Sequence, residues 1–230
     1  MDIGDKFIRG LACGALVAAL AACSSGPDSP SGLAASDPAM QRAEHVPGAV
    51  AWRSPDLDAT KYTQFVIAPV KIYEGADADY GKATAQDKRA AASFMQQEFQ
   101  RVLGERYGVA SREGANTARL ELTLAGLSDN VPVASSVASI APIGLVRNIA
   151  VGNQSAMFSG SVTYKGEVYD SQTGKLVAAF VSTKTPPPLD LGATVDSKTA
   201  QMAAITDAAK DVRDAIQANQ QAAASGATRR

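Results

Sequence analysis

The side chains in this sequence that could carry covalent, acid–base or metal chemistry are few. They are two cysteines, Cys13 and Cys23, a single histidine, His45, and acidic pairs such as Asp77/Asp79 and Asp207/Asp211. A histidine acting as general base wants a pocket and one acting as a ligand wants partners, but His45 stands in a stretch rich in Pro, Ser and Ala. A phosphate-binding loop requires glycine, four residues, then Gly-Lys-Ser/Thr; here Gly81-Lys82 is followed by Ala83, and Ala76 occupies the first glycine position. A calcium loop starting at Asp77 fails as well, because Lys82 replaces the turn glycine and Lys88 the bidentate acid. No serine sits in a Gly-x-Ser-x-Gly elbow, and a histidine-based triad has only His45 to draw on. The acidic pairs fall on a loop and a helix, where carboxylates usually face water. The expectation is therefore no catalytic residue, no metal site, no cofactor and no small-molecule substrate.

Cys23 is the exception, because its setting specifies a covalent modification. Lys6 and Arg9 precede an uncharged Ala/Leu-rich run from Gly10 to Ala22. That run is shorter than the roughly 20 residues of a spanning helix and reads as the apolar region of a secretory signal. It ends Leu20-Ala21-Ala22-Cys23, which closely resembles the bacterial lipobox: small residues lie extended in a peptidase cleft, the cut falls between Ala22 and Cys23, and the thiol carries a thioether-linked lipid. Several acyl chains on one residue anchor stably where a single chain binds only marginally. Ser24 stands where an inner-membrane retention signal would place Asp, so the sorting rule that the motif resembles implies the outer membrane; the periplasmic face is the expected side, although the sequence does not name it. Cys13 leaves with the signal and Cys23 is consumed by lipid, so no disulfide or thiolate metal site is expected.

Composition bounds the rest. With 22 Lys+Arg against 23 Asp+Glu, a net charge of −1 and 46% apolar residues, the 230-residue chain has no basic surplus for nucleic acid and too much apolar content for a disordered chain. Residues 1–22 read as signal peptide and 23–50 as a lipidated tether punctuated by Pro27, Pro30, Pro38 and Pro47. One domain is expected over 51–218, interrupted by an apolar insertion at 131–157, with 219–230 a disordered tail.

Positioning elements follow from periodicity. The run Phe65-Val66-Ile67-Ala68-Pro69-Val70 predicts a strand buried on both faces, with Pro69 at its end or on an edge. Thr84 and Asp87 have the spacing of a helix cap, and Met95, Phe99, Val102 and Leu103 form a stripe behind it, with Gly108 as the terminating cap. Leu120, Leu122 and Leu124, then Val162, Tyr164 and Val168, alternate with polar residues as antiparallel strands do. Asp170-Ser171-Gln172-Thr173-Gly174-Lys175 predicts a hairpin turn returning through Leu176 to Val181. A last helix is expected from Asp196 or Ser197, with Met202, Ile205, Ala209, Val212 and Ile216 facing inward. These elements predict an α+β fold, an antiparallel sheet of about four to five strands packed against two helices, with Leu122, Val162, Phe99 and Ile205 in one core. Trp52, the only tryptophan, is expected to cover that core.

The Trp52 lead-in, the strand from Tyr62 to Val70, the helix from Phe94 to Tyr107, the Glu113-Gly114-Ala115 turn, and above all Gly160-Ser161-Val162 with Glu167 through Ala179 resemble a bacterial lipoprotein family of unknown function, DUF3313. The resemblance implies an envelope location and a shape, and transfers no chemistry.

Residues 131–157 are the least ordinary stretch, because Arg147 is their only charge. Loops beyond about 15 residues usually have a function or are disordered. Three readings stand: a loop packed on the domain, an amphipathic segment on a membrane or subunit interface, and a membrane hairpin. Ile140, Ile143, Leu145, Ile149 and Val151 are the candidate membrane or subunit contacts; the last four alternate with Gly144, Val146, Asn148 and Ala150, while Pro132 and Pro142 oppose regular strands. The expected role is a noncatalytic accessory or scaffold lipoprotein. Its partners would be the membrane, through the lipid, and an envelope protein or further copies of itself. The alternative is a subunit of an oligomeric secretion pore or export assembly.

Overall fold

A computed structural model describes residues 40–43, 46, 49–128, 160–185 and 197–227. Its strands are β1 (Gln41–Arg42), β2 (Ala49–Arg53), β3 (Gln64–Ile67), β4 (Lys71–Ile72), β5 (Gly108–Val109), β6 (Thr117–Ser128), β7 (Ser161–Asp170) and β8 (Leu176–Lys184). The helices are α1 (Ala85–Gly104) and α2 (Ser197–Ala227), with a 3-10 turn at Ala59–Lys61. The strands form one sheet of eight in the order β1-β2-β8-β7-β6-β3-β5, with β4 also on β6.

This corrects the expected antiparallel sheet of four to five strands: the sheet is mixed and larger. The physical reason is the crossover. Helix α1 has 20 residues, about 30 Å at 1.5 Å per residue, enough to carry the chain back to the end of the sheet where β3 began. Strand β6 is thereby laid parallel to β3, with Gln64 opposite Thr117 and Ile67 opposite Leu120. Strands β4 and β5 are also held parallel, to β6 and β3 respectively. Like β1, they have two residues each, too few to show a period in sequence.

Pro69 lies in the break between β3 and β4, as a residue without an amide donor must. Gln96 of α1 bridges that break: its Nε2 donates to Ile67 O at 3.1 Å, and its Oε1 accepts from Val70 N at 3.0 Å. The expected cap of α1 is present as a reciprocal capping box. Thr84 Oγ1 accepts from Asp87 N at 3.2 Å and Asp87 Oδ2 accepts from Thr84 N at 2.9 Å. Lys198 Nζ lies 2.8 Å from Asp87 Oδ1 and ties the start of α2 to this corner, and these bonds hold the Asp87 carboxyl well below the usual carboxylate range. The helix ends at Gly104 with Glu105 as its cap, and Gly108 opens β5 instead of terminating α1.

Both helices pack on one side of the sheet, where Met95, Phe99, Leu103, Leu120, Leu122, Leu124, Val162, Tyr164 and Ile205 form a single buried cluster. A bulge after Leu124 on β6 sets its far end. Slipping the register by one residue places Leu127, opposite Val162, on the helix side with Leu124. Gly126 is required there: a Cβ on it would come within 2.7 Å of Asp79 O, which bridges to this strand. The inward residues of α2 are Ala204, Ile205, Ala208, Ala209 and Val212, while Met202 is exposed. The opposite sheet face carries paired charges, Lys71 with Glu121 at 2.7 Å, Arg119 with Glu113 at 2.9 Å, and Lys165 with Glu167 at 3.3 Å.

At its edges the domain is longer than expected from the sequence. Met40, Val46, Ala49 and Val50, from the end of the expected tether, are buried, and β2 pairs along β8 from Ala49 opposite Ser182 to Arg53 opposite Ala178. Likewise α2 runs to Ala227, so residues 219–227 of the expected tail are helical.

Candidate functional site

Among the described residues, an apolar cleft of about 800 Å³ opens between β2–β8 and the second half of α2. That size lies within the roughly 300–1,000 Å³ usual for small-molecule sites. Its origin is local composition. The sheet contributes Ala49, Ala51 and Ala178, and α2 contributes Ala215, Ala222 and Ala223. Methyl groups on both sides leave unfilled the space between a helix and a sheet that larger side chains occupy elsewhere in the core. Phe180 widens the gap. Its ring lies over Gly166 on the neighbouring strand, where a Cβ would meet the ring at 2.1 Å, and packs edge-on against Tyr164 at 5.9 Å between centroids. The ring is thus drawn toward β7 and away from the methyl-lined end of the trough.

Polar groups gather at the rim. Arg53 Nη1 donates to Asn219 Oδ1 across the opening, and Asn219 is itself held by donating from Nδ2 to Ala215 O at 2.8 Å. Gln41, Arg42 and Ser54 complete this edge, and Trp52 also lines the cleft, half-buried. Arg42 and Arg53 are the only charged groups among the described lining residues; none is acidic.

Beneath the cleft a polar cluster locks the chain. Asp170, 4% exposed, accepts from Lys61 Nζ at 2.5 Å, from the Tyr62 hydroxyl at 2.9 Å, and from the Gln172 and Thr173 amides at 3.0 and 2.9 Å. It therefore closes the predicted 170–175 turn, where Gly174 takes φ +66°. The Lys61 ammonium, with help from Thr173 and Tyr62, holds the Asp170 carboxyl far below its ordinary value. Burial, with the facing Asp170 carboxylate, pushes Tyr62 up to about 12. Gln220 joins α2 to the same region, donating to Ala59 O at 3.2 Å and Tyr62 O at 2.9 Å.

The other residues singled out in the sequence do not converge. Asp77 accepts from the Tyr73 hydroxyl at 2.6 Å and Asp79 from Gly81 N at 3.2 Å, which makes both loop-forming groups. Asp207 and Asp211 each face their own lysine, Lys210 at 3.1 Å and Lys184 at 2.5 Å. Ala22, Cys23, His45 and the segment 131–157, with Ile140, Ile143, Leu145, Ile149 and Val151, lie outside the described residues. Among the described residues no three His, Cys, Asp or Glu cluster as metal ligands would, and no helix is long and apolar enough to cross a membrane. The cleft itself was missed from sequence, because the Ala/Gln-rich end of α2 reads as a frayed tail. The available signal was alanine at 49 and 51, a second alanine pair at Ala178-Ala179, and a third run at Ala222-Ala223-Ala224.

Several solved structures are similar to the chain at low identity. A PelC dodecamer from Paraburkholderia phytofirmans is 13% identical with a TM-score of 0.36, covering 71% of this chain and 96% of that one. A DUF4136 family protein from Bacteroides thetaiotaomicron is 11% identical with a TM-score of 0.37, covering 80% and 98%. A protein from Xanthomonas campestris of family DUF330 is 10% identical with a TM-score of 0.37, covering 74% and 94%. No curated protein matches the chain. Residues 29–212 match the family described as "Protein of unknown function (DUF3313)", and the chain belongs to that family.

Proposed function

We propose that this protein is a noncatalytic lipoprotein of the bacterial envelope, held by acyl chains on Cys23 at the periplasmic face of the outer membrane, and that its domain is an accessory binding module whose working surface is the alanine-walled cleft. The observation that carries the binding role is the cleft's make-up: apolar walls, a polar rim, and, among the described residues, no acid–base set converging on the space. The carboxylates that could have supported hydrolysis are engaged by cations, hydroxyls or backbone amides. Support for the anchor comes from Leu20-Ala21-Ala22-Cys23 after its apolar run. Cells expressing the full chain, fed labelled palmitate and fractionated, test this. The wild type is expected to be labelled and to sediment with outer membranes, and Cys23→Ala to be unlabelled and uncut. A blank wild type would sink the anchor.

A second reading, a subunit of an oligomeric pore or export assembly, is favoured by residues 131–157, which carry a single charge between two long strands. On this reading, changing Ile143 and Ile149 together to Asp places charges in lipid or in an apolar interface, each at a cost somewhat below the about 2–4 kcal/mol of Arg or Lys near a bilayer midplane. Detergent-resistant oligomers, expected of the wild type on this reading, would then be lost. Assembly that survives the double change argues against the pore.

A further inference from the structure

The charge on the rim of the cleft narrows what the cleft takes. Of the described residues lining it, all that are ionisable in the neutral range are cationic: Arg42 and Arg53. Among the described residues neither is matched to a carboxylate. The nearby acids are occupied elsewhere, Asp58 by the Thr60 amide and hydroxyl and Asp56 by Lys175 at 3.7 Å. Arg53 is fixed over the opening by Asn219, which is held in turn by its own helix. A guanidinium keeps donors to spare after one such bond, because it has five N–H groups in a planar fork matched to a carboxylate. Below it the walls offer only methyl groups and hydrocarbon: Ala51, Ala178, Ala215 and Ile216, with Phe180 and Leu120 deeper. A trough that is apolar along its length and cationic at one lip is complementary to a molecule with the same division, an acyl chain ending in a negative charge.

We infer that the cleft binds one long-chain fatty acid, its hydrocarbon between the alanine walls and its carboxylate on Arg53. The carboxylate is chosen over a phosphate because one guanidinium, that of Arg53, is bonded in place over the opening among the described residues, which suits a head carrying one charge. A fatty acid also has a single chain, which suits a trough walled by methyl groups on both sides. The inference rests on the reading of the cleft as the working surface, and is independent of the anchor at Cys23.

The single tryptophan gives a nearby reporter, since Trp52 stands between Ala51 and Arg53 on β2 and borders the cleft. The full chain, held in an amphipathic polymer instead of detergent, is titrated with bromine-labelled stearate below its micelle-forming concentration while Trp52 fluorescence is followed. Saturable quenching at one quencher per chain is expected. Arg53→Glu with Arg42→Glu should weaken it by about tenfold or more, the loss of a charge-assisted contact. Ala51→Leu or Ala215→Leu should abolish it, with circular dichroism and the unfolding midpoint preserved or raised. Quenching of equal strength by a bromine-labelled trimethylammonium amphiphile would overturn the anionic class while leaving the cleft a binding surface, and tighter binding of a phosphate-headed analogue would overturn the choice of carboxylate. No quenching by any of the three, with a midpoint raised by Ala51→Leu, would make the cleft a packing void and defeat both the inference and the reading beneath it.

Discussion

Replacing Phe99 by alanine should lower the free energy of unfolding by about 3–5 kcal/mol, the range for removing a fully buried aromatic ring. Phe99 is 0% exposed and sits at the centre of the α1 stripe. Its ring meets Tyr164 edge-on at 6.1 Å, and Tyr164 meets Phe180 in the same manner at 5.9 Å. These rings connect α1, through the middle of the sheet, to the strand that borders the cleft. The alanine variant leaves a space with few movable neighbours, because Met95, Val102 and Leu103 beside it are also 0% exposed. A companion change separates packing from polarity. The Tyr164 hydroxyl is buried next to its cross-strand neighbour Ser182 without good hydrogen-bond geometry, and burial drives its pKa upward. Tyr164→Phe, which keeps the ring and removes a poorly satisfied hydroxyl, should therefore shift stability by about 1 kcal/mol or less. Urea unfolding followed by circular dichroism reads both. A Phe99→Ala midpoint equal to that of the wild type would mean that α1 does not pack on the sheet as described.

Asp170→Ala should cost about 3 kcal/mol, the upper end for hydrogen bonds to a charged group, because one carboxylate serves several partners. Its removal leaves the Tyr62 hydroxyl buried without its acceptor, releases Lys61, and opens the turn that joins β7 to β8. Lys61 is 38% exposed along its side chain and regains water, so the turn and Tyr62 account for most of the loss. Asp170→Asn keeps an acceptor for the turn amides and should lose less. The sign of the pH dependence follows from the lowered native pKa. The unfolded chain takes up the proton first, so the contribution of Asp170 is complete above the unfolded value of about 4 and declines as pH falls below it toward the native value. Wild type should lose stability more steeply below about pH 4 than Asp170→Asn does. Equal slopes would show that the carboxylate is not held as described.

Local chemistry was legible wherever neighbours in sequence are also neighbours in space. The capping box at Thr84 and Asp87, the α1 stripe, the 170–175 turn and the placing of Pro69 in a break all rest on contacts within a few residues. The common core of Leu122, Val162, Phe99 and Ile205 followed from apolar periodicity, since each stripe has only one layer to turn toward. The α2 stripe was misread at Met202, because alanines at 204 and 208 carry the packing and alanine has little hydrophobic signal of its own.

The amino-acid order alone therefore determined where helices and long strands begin, which faces are apolar, and which family the chain resembles, because those properties follow from the backbone period and from short-range hydrogen bonds. Tertiary structure alone decided that β6 runs parallel to β3, that two-residue strands join the sheet, and that α2 continues over β2 and β8 to leave a cleft. Each of these depends on which distant segments meet. The cleft in particular exists because alanines of β2, Ala49 and Ala51, face alanines of α2, Ala215 and Ala222, more than a hundred residues away, a relation that no local pattern encodes.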